Sequence, residues 1–204
     1  MSDLYVEVSA YKAAMNITKD AHDDDIERAI LAASRAIDDA THRYFYLKDA
    51  SADEVRYFTP RSRTWLEIGD LAALSTTSDP VLLDMDSDGS FESVLTENVD
   101  FVLEPLNATE DEVPYERLRM LPLSSYWLIE YPRSVQITGR WGWSSVPTVI
   151  EQATLILASR YLKRTDAPFG IAGLGPQGEG VRIAKSDPDV YALIEPLIKK
   201  AVLA

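Results

Sequence analysis

Apolar residues recur at spacings of three and four between positions 23 and 42, where Ile26, Ile30, Ala33, Ile37 and Ala40 make one stripe. That period predicts an amphipathic helix over Asp23–His42. Asp23, Asp24 and Asp25 open it, and carboxylates there favour the positive end of the helix dipole and can cap free N–H groups. A shorter helix is predicted at Ala10–Ile17. Another opens at Val146-Pro147, with proline in the first turn, and runs through Ile150, Ala153, Leu157 and Tyr161 to about Arg164. Arg160, Lys163 and Arg164 complement its negative end and read as a helix terminus rather than a phosphate site. A last helix begins at Asp187-Pro188 and continues through Tyr191, Ile194 and Leu197 to Val202, with Pro196 expected to kink or interrupt it.

Between residues 54 and 145 the pattern shortens to runs rich in Val, Ile, Thr and aromatics. Strands are predicted at Glu54–Thr59, Thr64–Ile68, Val81–Asp84, Phe91–Leu95, Val99–Glu104, Trp127–Tyr131 and Val135–Trp141. No helical crossover separates them, so an antiparallel sheet or small barrel fits better than a parallel one. The expected fold is α+β: a helical layer of the long N-terminal helix plus two C-terminal helices, with an inserted antiparallel β module. The boundaries read as 1–50, 51–145 and 146–204, the last packing with the first. No internal repeat or heptad array is present.

Charge changes this picture. The 204 residues hold 33 acids and 20 bases, a formal charge of -13. Between Arg63 and Arg117 there is no Lys or Arg but there are 14 Asp and Glu, which leaves 19 acids against 20 bases elsewhere. The inserted segment therefore carries the negative charge and has a surface of its own character. Such a balance disfavours gripping nucleic acid through a basic face. With no cysteine and two histidines, thiolate zinc sites, disulfides and cysteine nucleophiles are excluded. The start lacks the features of a secretion signal and no apolar run approaches membrane-spanning length, so the chain is expected to stay where it is made, with no membrane partner.

Three local patterns invite chemistry. Asp84, Asp86 and Asp88 with Gly89 match the first half of a calcium loop, but position twelve is Leu95 and the flanks read as strands. A tight turn at Asp88-Gly89 is the plainer reading, with a weak cation site as the alternative. Gly173, Gly175 and Gly178 have dinucleotide-fingerprint spacing, yet they follow a helix, contain Pro176 and belong to a glycine-rich run from Pro168 to Gly180 that reads as a loop. The aromatic clusters Tyr44-Phe45-Tyr46, Tyr126-Trp127 and Trp141-Gly142-Trp143 lack interleaved bases and are expected to fill the junction of helices and sheet. No catalytic residues are assigned, no metal is assigned and no cofactor is expected.

The order of elements, and above all the stretch from Ser134 to Arg164 with its Gly139-Arg140-Trp141-Gly142-Trp143 turn leading through Pro147 into a helix, resembles the head-tail connector family of long-tailed bacteriophages, also called adaptor or head-completion proteins. The resemblance implies a structural virion protein of the neck, made in the host cytoplasm and not an enzyme. Copies would form a ring, most often twelvefold, below the portal protein, extending the DNA channel and giving the tail a docking surface. Partners would be the portal, a tail terminator or next neck protein, and passing DNA held without sequence preference.

On that reading Gly173, Gly175, Gly178, Tyr191, Leu197, Lys199 and Lys200 are candidates for the portal or subunit interface. Asp84, Asp86, Asp88 and Glu92 are candidates for an acidic channel or partner surface. Another neck or tail component such as a tail terminator, a calcium-dependent binding module, and a metal-dependent hydrolase using the acidic insert are the alternatives.

Overall fold

A computed structural model describes residues 4–20, 22–49, 51–166, 171–174, 180–182 and 188–199. The chain divides into two compact units, Met1–Phe45 with Val146–Ala204, and Tyr46–Ser145. Mixed helix and antiparallel sheet agree with the α+β class.

In the first unit α1 spans Val8–Ala14 and α2 spans Asp23–Thr41. The α1 helix starts earlier and stops sooner than its sequence period suggests, because Asn16 takes a left-handed φ of 56° just past its end. Four of the five residues predicted for the buried face of α2, Ile26, Ile30, Ala33 and Ile37, are in the core, while Ala40 near the helix end is exposed. Its three aspartates occupy the first turn, where they face the positive end of the helix dipole. The N-cap position is His22, whose side chain makes no capping hydrogen bond; Asp23 accepts from Lys12 Nζ at 2.7 Å and Asp25 from Arg28 at 2.5 Å. The α3 helix, Thr148–Asp166, begins one residue after Pro147, whose carbonyl accepts from Ile150 and Glu151. Its Ala158 shares a buried cluster with Ala29, Ile30 and Ala33 of α2, and Leu155, Leu157, Tyr161 and Leu162 pack against that cluster.

Two short strands, β8 (Ile171–Leu174) and β9 (Gly180–Arg182), pair antiparallel where the glycine-rich run reads as a loop. The β-branched Ile171 and Val181 favour extended backbone over the glycine signal. The α4 helix is short, Pro188–Ile194, and gives way to a 3-10 turn at Glu195–Leu197. Pro196 interrupts the helix as expected, and Ile198 is extended at φ -64° and ψ 123°. Residues 200–202 of the longer predicted helix lie outside the described residues.

The second unit is a seven-stranded antiparallel sheet: β1 (Glu54–Phe58), β2 (Trp65–Leu74), β3 (Val81–Leu83), β4 (Ser93–Val94), β5 (Phe101–Glu104), β6 (Tyr115–Met120) and β7 (Val135–Trp141). The path β4-β3-β7-β2-β6-β5 has β1 on the other edge of β7. Strand β2 outruns the predicted Thr64–Ile68 because Gly69, at φ 79°, accommodates an irregularity in the pairing between Glu67 and Leu71. Strand β6 replaces the strand predicted at Trp127–Tyr131. That segment is irregular, with Leu128 alone buried and its N–H donated to the Arg63 carbonyl at 3.0 Å. The core is one cluster that includes Leu66, Ile68, Leu71, Phe101, Leu118, Leu128, Val135, Ile137 and Trp141.

Candidate functional site

The β3–β4 connection builds the acidic turn. Asp84 is 2% exposed, and its carboxylate accepts the N–H of Ser87 at 2.6 Å and of Gly89 at 2.9 Å. Asp86 and Asp88 repeat this on the surface, accepting from Asp88 N at 3.3 Å and Ser90 N at 2.7 Å. Ser87 and Gly89 take the positive φ values, 68° and 93°, so left-handed backbone sits at Ser87 as well as at the expected glycine. The three carboxylates offer oxygens within 4.8 Å of one another, close enough to share a cation. Their present partners are backbone N–H groups, which is the bonding of a fixed turn. Glu92 is exposed and is not one of that group.

The candidate interface residues divide. Leu197 and Lys199 meet the end of α2: the Leu197 carbonyl accepts from Arg43 Nε at 2.9 Å, and Lys199 donates its N–H to the Thr41 carbonyl at 2.9 Å. Thr41 is the last residue of α2, so the C-terminal strand of chain satisfies a helix-end carbonyl that would otherwise need water. Tyr191 stands on α4 with 52% of its surface exposed. Gly173 lies in β8, while Gly175, Gly178 and Lys200 lie outside the described residues.

Sequence reasoning missed an ionic ladder. Arg117 of β6 lies 3.5 Å from Glu67 of β2 and 3.6 Å from Glu104 of β5, and Arg119 reaches Glu104 at 2.5 Å. The Arg119 hydrogen bond, ahead of the charge attraction of both arginines, holds the Glu104 carboxyl below its usual range. Two of the acids in the arginine-free stretch are thus matched by bases just beyond it. The alternation of Leu118 and Met120 with Arg117 and Arg119 was the available signal.

The aromatic expectation also needs correction. Phe45, Trp141 and Trp143 are buried, but Tyr44 and Trp127 are exposed. Trp141 belongs to the sheet core, with its indole N–H donated to the Glu54 carbonyl at 2.9 Å and Arg56 over its ring at 4.3 Å.

No protein-family model and no curated protein sequence matches the chain. Its fold has known counterparts. The chain is similar, over 98% of its length, to a chain from the neck of an empty gene transfer agent (GTA) particle computed with C6 symmetry. It covers 92% of that chain at 19% identity, with a TM-score of 0.55. A chain from the neck of a native GTA particle computed with C12 symmetry is 19% identical, with 97% and 93% covered and a TM-score of 0.47.

Proposed function

We propose that this protein is a structural component of the neck of a phage-like particle, a head-tail connector whose copies form a ring below the portal. The observation that carries the reading is the nearly end-to-end likeness of fold to a chain of the GTA neck. That neck was computed with C6 symmetry, which suits a chain that works as one of several copies around an axis. The order of helix, inserted sheet, proline-led helix and final short helix supports the narrower connector role.

The electrostatics fit a conduit. Residues 46–145 carry 18 acids and 8 bases, so most of the charge of -13 sits on the sheet unit and a ring multiplies it. A wall of that sign would repel the DNA backbone and let it slide past without specific binding. Asp86, Asp88 and Glu92 are the candidate wall; Asp84, expected to belong to it, is buried and anchors the turn instead. The C-terminal segment from Gly173 to Lys200 is the candidate grip on the portal. The role is architectural, with no reaction catalysed.

Deletion of the gene from the producing genome tests this. Filled heads and free tails that fail to join are the expected products, seen by electron microscopy. Tailed particles in normal numbers would overturn the reading.

A further inference from the structure

Eight bases lie in Tyr46–Ser145, and five of them are paired inside the unit. Lys48 and Arg56 bind Glu54 at 2.9 and 3.2 Å, Arg117 and Arg119 belong to the ladder, and Arg140 lies 4.0 Å from Asp53. The other three, Arg61, Arg63 and Arg133, have no carboxylate partner among the described residues, and all three are exposed. They lie on two neighbouring segments, joined where Arg133 N donates to Thr59 Oγ1 at 3.0 Å and Leu128 N donates to the Arg63 carbonyl. Exposed aromatics stand on the same and adjoining segments: Trp127 at 50%, Tyr57 at 43% and Tyr131 at 42%. Arg133 lies 4.4 Å over the Tyr57 ring, and Phe91 packs 5.7 Å from it. Glu130 is the one acid on these two segments. The acidic turn at Asp84 adjoins them, since Asp84 N donates to the Ser134 carbonyl at 2.9 Å, but no carboxylate of that turn forms an ion pair with Arg133 among the described residues.

Arg, Trp and Tyr are the residues that dominate the energy of protein interfaces. The exposed Trp and Tyr beside the arginines suit a protein surface, and short-range pairing with the arginines favours an acidic one. The chain supplies one. Glu110, Asp111 and Glu112 form an exposed turn without a cation partner among the described residues. Glu112 lines a cleft of about 250 Å³ together with Ser144 and Ser145, which follow β7, whereas Arg133 precedes β7. The arginine patch and the Glu110–Glu112 turn therefore belong to opposite ends of a strand that spans about 20 Å, and within one copy these two surfaces do not meet.

We propose that the Arg61, Arg63 and Arg133 surface of one copy receives the Glu110–Glu112 turn of the next, a head-to-tail contact of the kind that closes into a ring. This rests on the ring reading above and names its contact.

The test is paired charge reversal. One variant carries Arg61→Glu, Arg63→Glu and Arg133→Glu, the other Glu110→Lys, Asp111→Lys and Glu112→Lys; circular dichroism confirms that both are folded. Sedimentation velocity at low salt should show self-association of the unaltered protein, weakened about tenfold or more in either variant. An equimolar mixture should restore it, because each altered surface then meets its opposite in an alternating ring. Unchanged association in the variants, no association of the unaltered protein, or no restoration on mixing would overturn the contact. So would loss of binding to a DNA duplex in the arginine variant with association intact, which would assign the patch to nucleic acid. If the arginine variant still forms normal rings with the portal, the contact is wrong and the neck reading stands; if the unaltered protein forms none, both fall.

Discussion

At the scale of single residues, Tyr5 does more than its place near the start of the chain suggests. Its hydroxyl donates to the Asp38 carboxylate and accepts the N–H of Phe45 at 2.9 Å, while its own N–H goes to Ser34 Oγ at 3.2 Å. One ring thus ties the N-terminal segment to α2 and to the residue where the chain leaves the first unit. Burial first, and the Asp38 hydrogen bond second, push the phenol well above its ordinary value. A folded-state pKa raised in this way gives stability that is complete below about pH 10 and declines as the pH rises beyond it. Tyr5→Phe leaves the Asp38 carboxylate and the Phe45 N–H short of a partner and should cost about 2 kcal/mol, read as a lower melting temperature at neutral pH. It should also flatten the alkaline decline. In the acidic turn, Asp84→Ala strands two backbone N–H groups and should cost about 1–3 kcal/mol, whereas Asp86→Ala and Asp88→Ala should change stability by less than about 0.5 kcal/mol. Equal effects at all three positions, measured by chemical denaturation, would contradict the view of Asp84 as the turn's anchor.

At the scale of elements, Gly142 shows how β7 is ended. It takes φ +112°, and a Cβ there would collide with the Tyr46 carbonyl oxygen. Gly142→Ala should therefore destabilise the protein by on the order of 3 kcal/mol, seen as a shifted denaturation midpoint. The ladder across β2, β6 and β5 makes a pH prediction. Because the Glu104 pKa is lowered in the folded state, its contribution is complete above the ordinary value near ~4.3 and is lost as pH falls below it. Glu104→Gln should remove part of the acid sensitivity in a denaturation series.

The elements with one dominant period were legible in the sequence: the α2 stripe, β1, β3 and β7 all appear where the alternation puts them. What was not legible depended on partners distant in the chain. Strand β6 hides among charges that only β2 and β5 explain, and Trp127 reads as a packing residue until Arg63 is seen beside its segment. The acidic turn was legible because its chemistry is local. The meeting of Leu197 and Lys199 with α2 was not, since nothing near them in sequence names Arg43 or Thr41.

At the scale of the whole molecule, the proposed neck role draws on sequence and on fold separately. The element order resembles the connector proteins, and the fold is shared with a GTA neck chain where sequence identity is only 19%. The charge sits mainly on the sheet unit, while the C-terminal segment closes onto the helical one. Removal of residues 168–204 should abolish attachment to the portal and leave the sheet unit folded, as judged by pull-down and by near-ultraviolet circular dichroism; a truncated protein that still attaches would remove the C-terminal segment from the interface. The central claim is tested most directly by negative-stain electron microscopy, with native mass spectrometry, of this protein alone and mixed with the portal protein of the same genome. A ring that forms or grows on the portal is the predicted result. A protein that remains monomeric and ignores the portal would contradict it.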